Sequence, residues 1–475
     1  MSQTQKNEPR VAELELENEL LREKIRFLEG KLYHRSSEAR KAPGPEEQDS
    51  LFDLEEEEKP DDESEPEQEK VTYTRRKRGK RQPIPDHFER VEILHDLSDE
   101  EKVCACGTTR KRIGEETSEQ LDLIPAKVQV LRHIRPKYVC PCCESSEETE
   151  TPVAIAPSPK SMIPKSLAGP GLLAHLINAK YTDALPFYRQ EKQLARLGVR
   201  LSRTTMSEWS QKAASRCREL VDLIQDDLLA SNYVQIDETR VRVHGEQDRK
   251  NTTNSYMWVM RGGLPNEGPR TYLYNYSPTR AGETAKRLLS GYQGLVHTDG
   301  YSGYDFLGRT EGVVHLACWV HARRKFDETI KANKKGSKKT SHAQRVLSLI
   351  AKIYKGHKAM AEHGLTGEKR LDYRREKIDP QLKKLKDLLE TLLPKTPPES
   401  KLGKAVRYMS NRWRQLVACF EYSEVRLDTN LVENAIRPFV IGRKNWLHCG
   451  SPEGAAANGI WFSIIETAKA NGQCR

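Results

Sequence analysis

The period of the apolar positions changes several times along the chain, and each change marks a segment. Over residues 11–33 the period is seven: Val11, Ile25 and Leu32 share one register with Asn18, and Leu14, Leu21 and Leu28 take the other. This predicts a short coiled coil over 1–35, paired in parallel as a dimer or part of a higher oligomer, because a buried Asn amide is best satisfied by its twin. Three heptads are marginal alone, and the same stripe suits an amphipathic helix packed on its own protein. From 36 to 83 apolar positions thin out and the period is lost, which predicts a linker, acidic and then basic, that cannot bury enough surface to offset ordering. Residues 84–150 hold strand-like runs, most clearly at 121–139, between clustered cysteines.

A helical period governs 151–230. Leu185-Pro-Phe-Tyr-Arg-Gln-Glu-Lys-Gln-Leu, then Leu197-Gly-Val, then Ser202-Arg-Thr-Thr-Met-Ser-Glu-Trp-Ser reads as helix, glycine turn, helix, with Ser202 as N-cap of the second. That is helix-turn-helix spacing, in which Arg203, Thr204 and Thr205 face DNA; two packed helices without DNA contact give the same pattern.

At 231 the period becomes that of strands. Tyr233-Val-Gln-Ile-Asp-Glu-Thr-Arg-Val-Arg-Val, Ser255-Tyr-Met-Trp-Val-Met and Arg270-Thr-Tyr-Leu-Tyr-Asn-Tyr predict three neighbouring strands. A helix from Arg280 and a buried strand, Gly294-Leu-Val-His-Thr-Asp-Gly, follow. Strand, strand, strand, helix, strand is the front half of a ribonuclease H-like α/β fold, in which the first and fourth strands lie side by side. Residues 231–330 would form the first part of this core, 331–425 a Lys-rich helical insertion, and 426–475 the second part.

Composition sharpens the picture. A chain of 475 residues exceeds one compact core, and its net charge is +10. Residues 46–69 hold fourteen acids against one Lys, so the rest carries about 10 + 13 = +23, an excess that suits a polyanion such as double-stranded DNA. Arg75, Arg76, Lys77, Arg78, Lys80 and Arg81 surround a Gly in an arm that fits along phosphates or into a minor groove, or else forms a solvated tail balancing the acidic run. No segment reaches the roughly 20 apolar residues of a membrane span and the start lacks a signal-peptide core, so a cytoplasmic, nucleoid-associated protein without membrane contact is expected. Five of the ten cysteines fall within 104–143. Cys104, Cys106, Cys140 and Cys143, two knuckle pairs, are the expected ligands of a structural Zn²⁺ in a ribbon-like module; the alternative is a metal-free hairpin of reduced thiols.

Two carboxylates then stand out. Asp237 follows alternating apolar residues in the first strand and Asp299 closes the fourth, so the fold would place them together. Paired carboxylates repel unless a cation lies between them, and Mg²⁺ or Mn²⁺ is the economical answer. Phosphoryl transfer uses two such ions about 3.5–4 Å apart and needs a further acid. Leu427-Asp-Thr-Asn-Leu-Val-Glu-Asn-Ala-Ile-Arg-Pro438 supplies it: beyond Thr429 the segment reads as helix, with Asn430, Glu433, Asn434 and Arg437 on one polar face. Glu433 would meet the metals, and Asn434 and Arg437 would bind phosphate or hold the carboxylate. Cys318-Trp-Val-His321-Ala-Arg-Arg-Lys either places His321 beside the scissile phosphate with Arg323 and Arg324 along the DNA backbone, or is a packed Cys and Trp with a capping His.

Almost the whole chain resembles the transposases of the insertion sequence 66 group. The matching pieces are the zipper running into Leu32-Tyr-His-Arg-Ser-Ser-Glu38, the basic Arg-Gly-Lys-Arg-Gln-Pro, Glu119-Gln-Leu-Asp with Val130-Leu-Arg-His-Ile-Arg-Pro-Lys-Tyr-Val-Cys140, Gln235-Ile-Asp-Glu-Thr, His297-Thr-Asp-Gly-Tyr-Ser-Gly-Tyr, Cys318-Trp-Val-His-Ala-Arg-Arg-Lys-Phe, Asn430-Leu-Val-Glu-Asn-Ala-Ile-Arg-Pro and Gly442-Arg-Lys-Asn-Trp. The resemblance implies an Asp-Asp-Glu transposase with those residues at 237, 299 and 433, which cuts at terminal inverted repeats and joins the 3′ ends to target DNA, assisted by accessory proteins of the same element. It adds Arg443 and Lys444 to the DNA-binding candidates. Two departures are visible: the first cysteine pair is one residue tighter than the usual spacing, and relatives continue past Asn471-Gly-Gln-Cys-Arg475. The alternative function is therefore a truncated DNA-binding copy that occupies transposon ends and represses movement.

Overall fold

The computed structural model describes residues 128–138, 154–155, 157, 159–264, 270–332, 341–422 and 425–473, together with Leu21 and Ile25. Leu21 and Ile25 are helical. The rest of the expected zipper, the linker with its basic arm, and Cys104, Cys106, Cys140 and Cys143 lie outside the described residues. Val128–Val130 belong to one compact unit, 55–130, and the residues from Leu131 on to another, which holds all the strands and helices named below. Of the strands expected over 121–139, residues 128–136 carry no ladder, and Lys137–Tyr138 pairs antiparallel with Ala154–Ile155.

Four helices lead in: α1 (Pro170–Tyr181), α2 (Phe187–Arg196), α3 (Arg203–Arg216) and α4 (Arg218–Leu229). Gly198, at φ +81°, turns the chain between α2 and α3, a conformation glycine adopts without strain. Ser202 caps α3 as expected, its hydroxyl accepting from the Thr205 N–H at 3.1 Å. Leu194, Met206 and Trp209 are buried between these helices and their neighbours.

The centre is a five-stranded sheet of β1 (Tyr233–Arg242), β2 (Asn254–Gly262), β3 (Thr271–Ser277), β4 (Gly294–Thr298) and β5 (Val313–Ala317), in the order β3-β2-β1-β4-β5. β1, β2 and β3 form an antiparallel meander, whereas β1, β4 and β5 run parallel. Parallel neighbours need a crossover, supplied before β4 by α5 (Gly282–Leu288) and before β5 by a 3₁₀ helix, Ser302–Arg309. The predicted neighbourhood of the first and fourth strands is therefore present.

After β5 come α6 (Trp319–Ala332), α7 (His342–Glu362), α8 (Gly367–Lys377), α9 (Asp379–Leu392), α10 (Lys401–Asn411) and α11 (Trp413–Ala418). α7 opens on a capping box formed by Ser341 and Gln344. α9 buries Leu382, Leu385, Leu389 and Leu392, a helical stripe facing its partners. These helices build a hydrophobic core of their own, joined to the sheet through Tyr233, Leu316 and Trp319. The chain returns through α12 (Asn430–Trp446) and α13 (Pro452–Ala470), which close the first core over the sheet. Gly459 lets α13 lie against β3, since a Cβ there would stand 2.6 Å from the Tyr274 carbonyl oxygen. No helix among the described residues is long and apolar enough to cross a membrane.

Candidate active site

Strand register decides which carboxylates meet. β1 and β4 pair with Gln235 opposite His297, and the same register carries Asp237 to the level of Asp299, one residue past the end of β4. β4 and β5 pair with Thr298 opposite Ala317, and the Cys318 N–H donates to the Thr298 carbonyl at 3.0 Å. Asp237, Asp299 and Cys318 thus stand at one level across three adjacent strands.

Alternation along β1 puts Gln235, Asp237 and Thr239 on one face. α12 lies along that face and is pinned at two points. Near its start the Val432 N–H donates to Gln235 Oε1 at 3.0 Å; near its end the Arg443 guanidinium donates to the Thr239 hydroxyl at 3.3 Å and to the Arg240 carbonyl. The Gln235 amide is itself fixed, donating to the Asp428 carbonyl at 3.0 Å and the Tyr233 hydroxyl at 2.7 Å. Glu433, next to the first pin and in the first turn of α12, is buried, where the helix dipole favours a negative charge. The Thr429 hydroxyl donates to its Oε1 at 3.1 Å.

The nearby arginines Arg280, Arg412 and Arg426 pair with Glu238, Asp305 and Asp428 rather than with Asp237, Asp299 or Glu433. Asp237 accepts from the Glu238 N–H at 2.8 Å and Asp299 from the Tyr301 N–H at 2.9 Å. Burial, then the charges of Glu238, Asp299 and Glu433, push the Asp237 carboxyl well above the usual carboxylate range, with His321 working the other way. Glu238 points to the opposite face and is matched there: Arg280 pairs with it at 2.6 Å and the Tyr304 hydroxyl donates at 2.6 Å.

His321 lies in the first turn of α6 and Cys318 just before the helix. Cys318 Sγ, a His321 ring nitrogen and a Glu433 carboxylate oxygen all lie within 4.8 Å of one another. Burial disfavours a charged His321, but Cys318, with Asp299 and Glu433 beyond it, raises its pKa to about 9. Burial alone would raise the Cys318 thiol; His321 lowers it instead.

The insertion supports the turn after β4. A Cβ on Gly300 would fall 2.2 Å from the Tyr408 ring of α10, so only glycine admits this contact. Arg412 donates to the Gly300 carbonyl at 3.1 Å and pairs with Asp305.

The remaining candidates divide by exposure. Arg323 and Arg324 lie on α6, the first exposed and the second half-buried; Asn434 and Arg437 are exposed on α12, as is Lys444, while Arg443 is half-buried against β1. On α3, Arg203 and Thr204 are exposed and Thr205 is half-buried. Thr429, four residues before Glu433, donates a side-chain hydrogen bond to it. Sequence pattern alone assigns no site role to Gln235 or Thr429, although Gln235 lies one strand period from Asp237 and Thr429 one helical turn from Glu433.

Residues 165–457 match the family described as "Transposase IS66 family", residues 101–144 the "zinc-finger binding domain of transposase IS66", and residues 20–93 the "Transposase C of IS166 homeodomain". Among similar proteins of Sinorhizobium fredii, uncharacterized protein y4jD is 31% identical over 399 residues, 82% of this chain and 75% of its own length. Uncharacterized protein y4qI is 31% identical over 397 residues, 81% and 70% of the two chains. Uncharacterized protein y4hP is 27% identical over 410 residues, 83% and 72% of the two chains.

Proposed function

The chain belongs to the IS66 transposase family, and from that premise we propose that it is a metal-dependent DNA transposase that cuts at the inverted repeats of a mobile element and joins the 3′ ends to target DNA. Its catalytic carboxylates are Asp237, Asp299 and Glu433, carried on a ribonuclease H-like core with strand order β3-β2-β1-β4-β5. The observation that carries this reading is the register that brings Asp237 level with Asp299, together with α12 packed along the same face of β1, so that the charges of both Asp299 and Glu433 act on Asp237.

The donor set fits two Mg²⁺ or Mn²⁺ ions, since hard divalent cations take carboxylate oxygens. When bound, such ions activate the attacking oxygen and stabilise the leaving one on the phosphodiester. The chain's own part is to hold the ligands still. Thr429 fixes one oxygen of Glu433, the Tyr301 N–H one oxygen of Asp299, and Gln235 the distance between β1 and α12. Arg323, Arg324, Asn434, Arg437 and Lys444 lie on the elements that frame the cluster and suit the phosphates of the incoming strand. Arg443 serves this role indirectly, by clamping α12 to β1.

The zinc-finger match over 101–144 supports structural Zn²⁺. Cys104, Cys106, Cys140 and Cys143 are its proposed ligands. Together with the basic arm 75–81 and Arg203, Thr204 and Thr205 of α3, that module would grip the transposon ends, with the zipper over 11–33 pairing two protomers.

The direct test incubates the protein with labelled inverted-repeat ends and a target plasmid in Mg²⁺ or Mn²⁺. The expected products are nicked ends and end–target joints that vanish with EDTA and in Asp237→Asn. Retention of labelled DNA without cleavage or joining by the wild-type chain would instead support a binding protein that occupies ends and represses transposition.

A further inference from the structure

Asp237, Asp299 and Glu433 offer only oxygen, the donor that hard ions select, yet a sulfur and a nitrogen stand beside them. Cys318 Sγ, a His321 ring nitrogen and a Glu433 oxygen form a compact triangle, no side longer than 4.8 Å. Each corner is held by a different element. Cys318 is tied to β4 by its N–H bond to Thr298, His321 is one helical turn further along α6, and Glu433 is steadied by Thr429. His321 Nδ1 is buried with no hydrogen-bond partner among the described residues, and the ring lies within reach of the Cys318 thiol. Leaving such a nitrogen unmatched is costly, and a bound ion between it and the Cys318 thiol would satisfy it.

We infer that Cys318, His321 and Glu433 form a second metal site, with three protein ligands and one open position, that takes Zn²⁺ or Co²⁺ in preference to Mg²⁺. Thiolate and imidazole favour these borderline ions, whereas Mg²⁺ keeps to oxygen. Around a tetrahedral Zn²⁺ with bonds of 2.0–2.3 Å, neighbouring donors stand roughly 3.5 Å apart, so the triangle needs to close by little more than about 1 Å. Glu433 belongs to both sites. A soft ion in the second site therefore draws Glu433 away from Asp237 and Asp299, and Zn²⁺ becomes an inhibitor of the Mg²⁺-dependent reaction. That consequence rests on the transposase reading; the site itself does not.

The two claims separate experimentally. Full-length wild type, Cys318→Ser, His321→Ala and Asp237→Asn are dialysed to equilibrium against Zn²⁺ and the bound ions counted per chain, with circular dichroism to show that each is folded. The cysteines at 104–143 contribute alike to all four proteins. Cys318→Ser and His321→Ala are each expected to hold one ion fewer than wild type, while Asp237→Asn matches wild type. Equal counts in all folded variants overturn the site. Because the two ligand variants disturb different elements, a folding failure of one leaves the other to decide, and Co²⁺ absorbance of wild type supplies a further reading: an extra thiolate-bound ion raises it beyond the saturation reached by Cys318→Ser or His321→Ala. In the joining assay, Zn²⁺ added to saturating Mg²⁺ is expected to lower the wild-type rate at least about 10-fold, equivalent to about 1.4 kcal/mol. Undiminished joining at Zn²⁺ levels that fill the site overturns the inhibition. Absence of joining in Mg²⁺ alone defeats the transposase reading and leaves the metal count standing.

Discussion

Asp237 and Glu238 are neighbours in β1, yet the alternation of the strand sends one toward α12 and the other toward the 3₁₀ helix and Arg280. Glu238 is buried and meets a complete set of partners. Arg280 pairs with it at 2.6 Å, Tyr304 donates at 2.6 Å, and the Tyr301 ring covers the guanidinium at 4.0 Å. Asp237 feels the charges of Asp299 and Glu433, and burial with these charges outweighs the opposing pull of His321. A buried charge must be matched somewhere. On one face of β1 the fold supplies Arg280 as a close partner at 2.6 Å; on the other it gathers the acids with His321 as a weaker counterweight, which is where the proposed metal ions would add charge. That contrast separates a structural acid from the proposed catalytic ones better than burial does, since Glu238, Asp299 and Glu433 are all buried.

The sharpest way to break the contrast is to neutralise one acid on each face. Asp237→Asn, Asp299→Asn or Glu433→Gln is expected to lower strand transfer by about 5 kcal/mol, on the order of 10⁴-fold, because each removes a metal ligand from the phosphoryl-transfer site. DNA retention in a gel-shift assay should stay within a few-fold. A variant that retains cleavage and joining near the wild-type rate removes that residue from the site. Glu238→Ala should show the reverse profile: it strands Arg280 in the interior and lowers unfolding stability by about 3–5 kcal/mol in urea, with activity per folded molecule close to wild type. Loss of metal-dependent activity in a fully folded Glu238→Ala protein would move Glu238 to the catalytic side.

Metal removal tests the same asymmetry at a smaller scale. With Mg²⁺ at about 100 times its dissociation constant, wild type should gain about 2.7 kcal/mol over protein in EDTA, read as a rise in Tm that Asp237→Asn lacks. The pH dependence in EDTA has a definite sign. The folded pKa of Asp237 lies above its unfolded value of about 3.9, through burial and neighbouring carboxylates, so the protonated form stabilises the fold. This contribution is full below the unfolded pKa and is lost as pH rises through the folded one. A decline in Tm over that window in wild type, flattened in Asp237→Asn, is the expected result; parallel curves would show that Asp237 is not under this strain.

Much of this arrangement was legible in the sequence because it depends on local periods. The change to period two at 231 marks the sheet, the break at Gly198 and the cap at Ser202 mark the helix pair, and the acids at the ends of apolar runs mark Asp237 and Asp299. Harder to see was whatever tertiary contact alone decides. Glu433, Asn434 and Arg437 read as one polar face, but packing of α12 on β1 buries Glu433 and exposes the other two. Arg280 read as the start of a helix, whereas α5 begins at Gly282 and Arg280 is drawn aside to Glu238. Over 128–136 the alternation of apolar residues promised strands, yet the described chain has no ladder there. Pattern fixes a face only when a partner strand is present to use it.

Thr429 gives the finest test of the Asp237 face, because its hydroxyl donates to Glu433 at 3.1 Å. Thr429 is itself buried and its hydroxyl also reaches the Cys318 thiol, so Thr429→Val keeps the shape of the site and removes the hydroxyl bonds to Glu433 and Cys318. The loss of one hydrogen bond to a carboxylate corresponds to about 1.5 kcal/mol, roughly ten-fold. If Thr429 serves to hold Glu433 toward the metals, the change should appear as a weaker apparent affinity for Mg²⁺ in the joining reaction, with Tm in EDTA nearly unchanged and Thr429→Ser restoring the wild-type value. If instead Thr429 only completes the N-terminus of α12, Tm should fall and the Mg²⁺ dependence should not move. Glu238, which has its own hydroxyl donor in Tyr304, supplies the control: Tyr304→Phe should cost stability alone, since the carboxylate it serves waits for no ion.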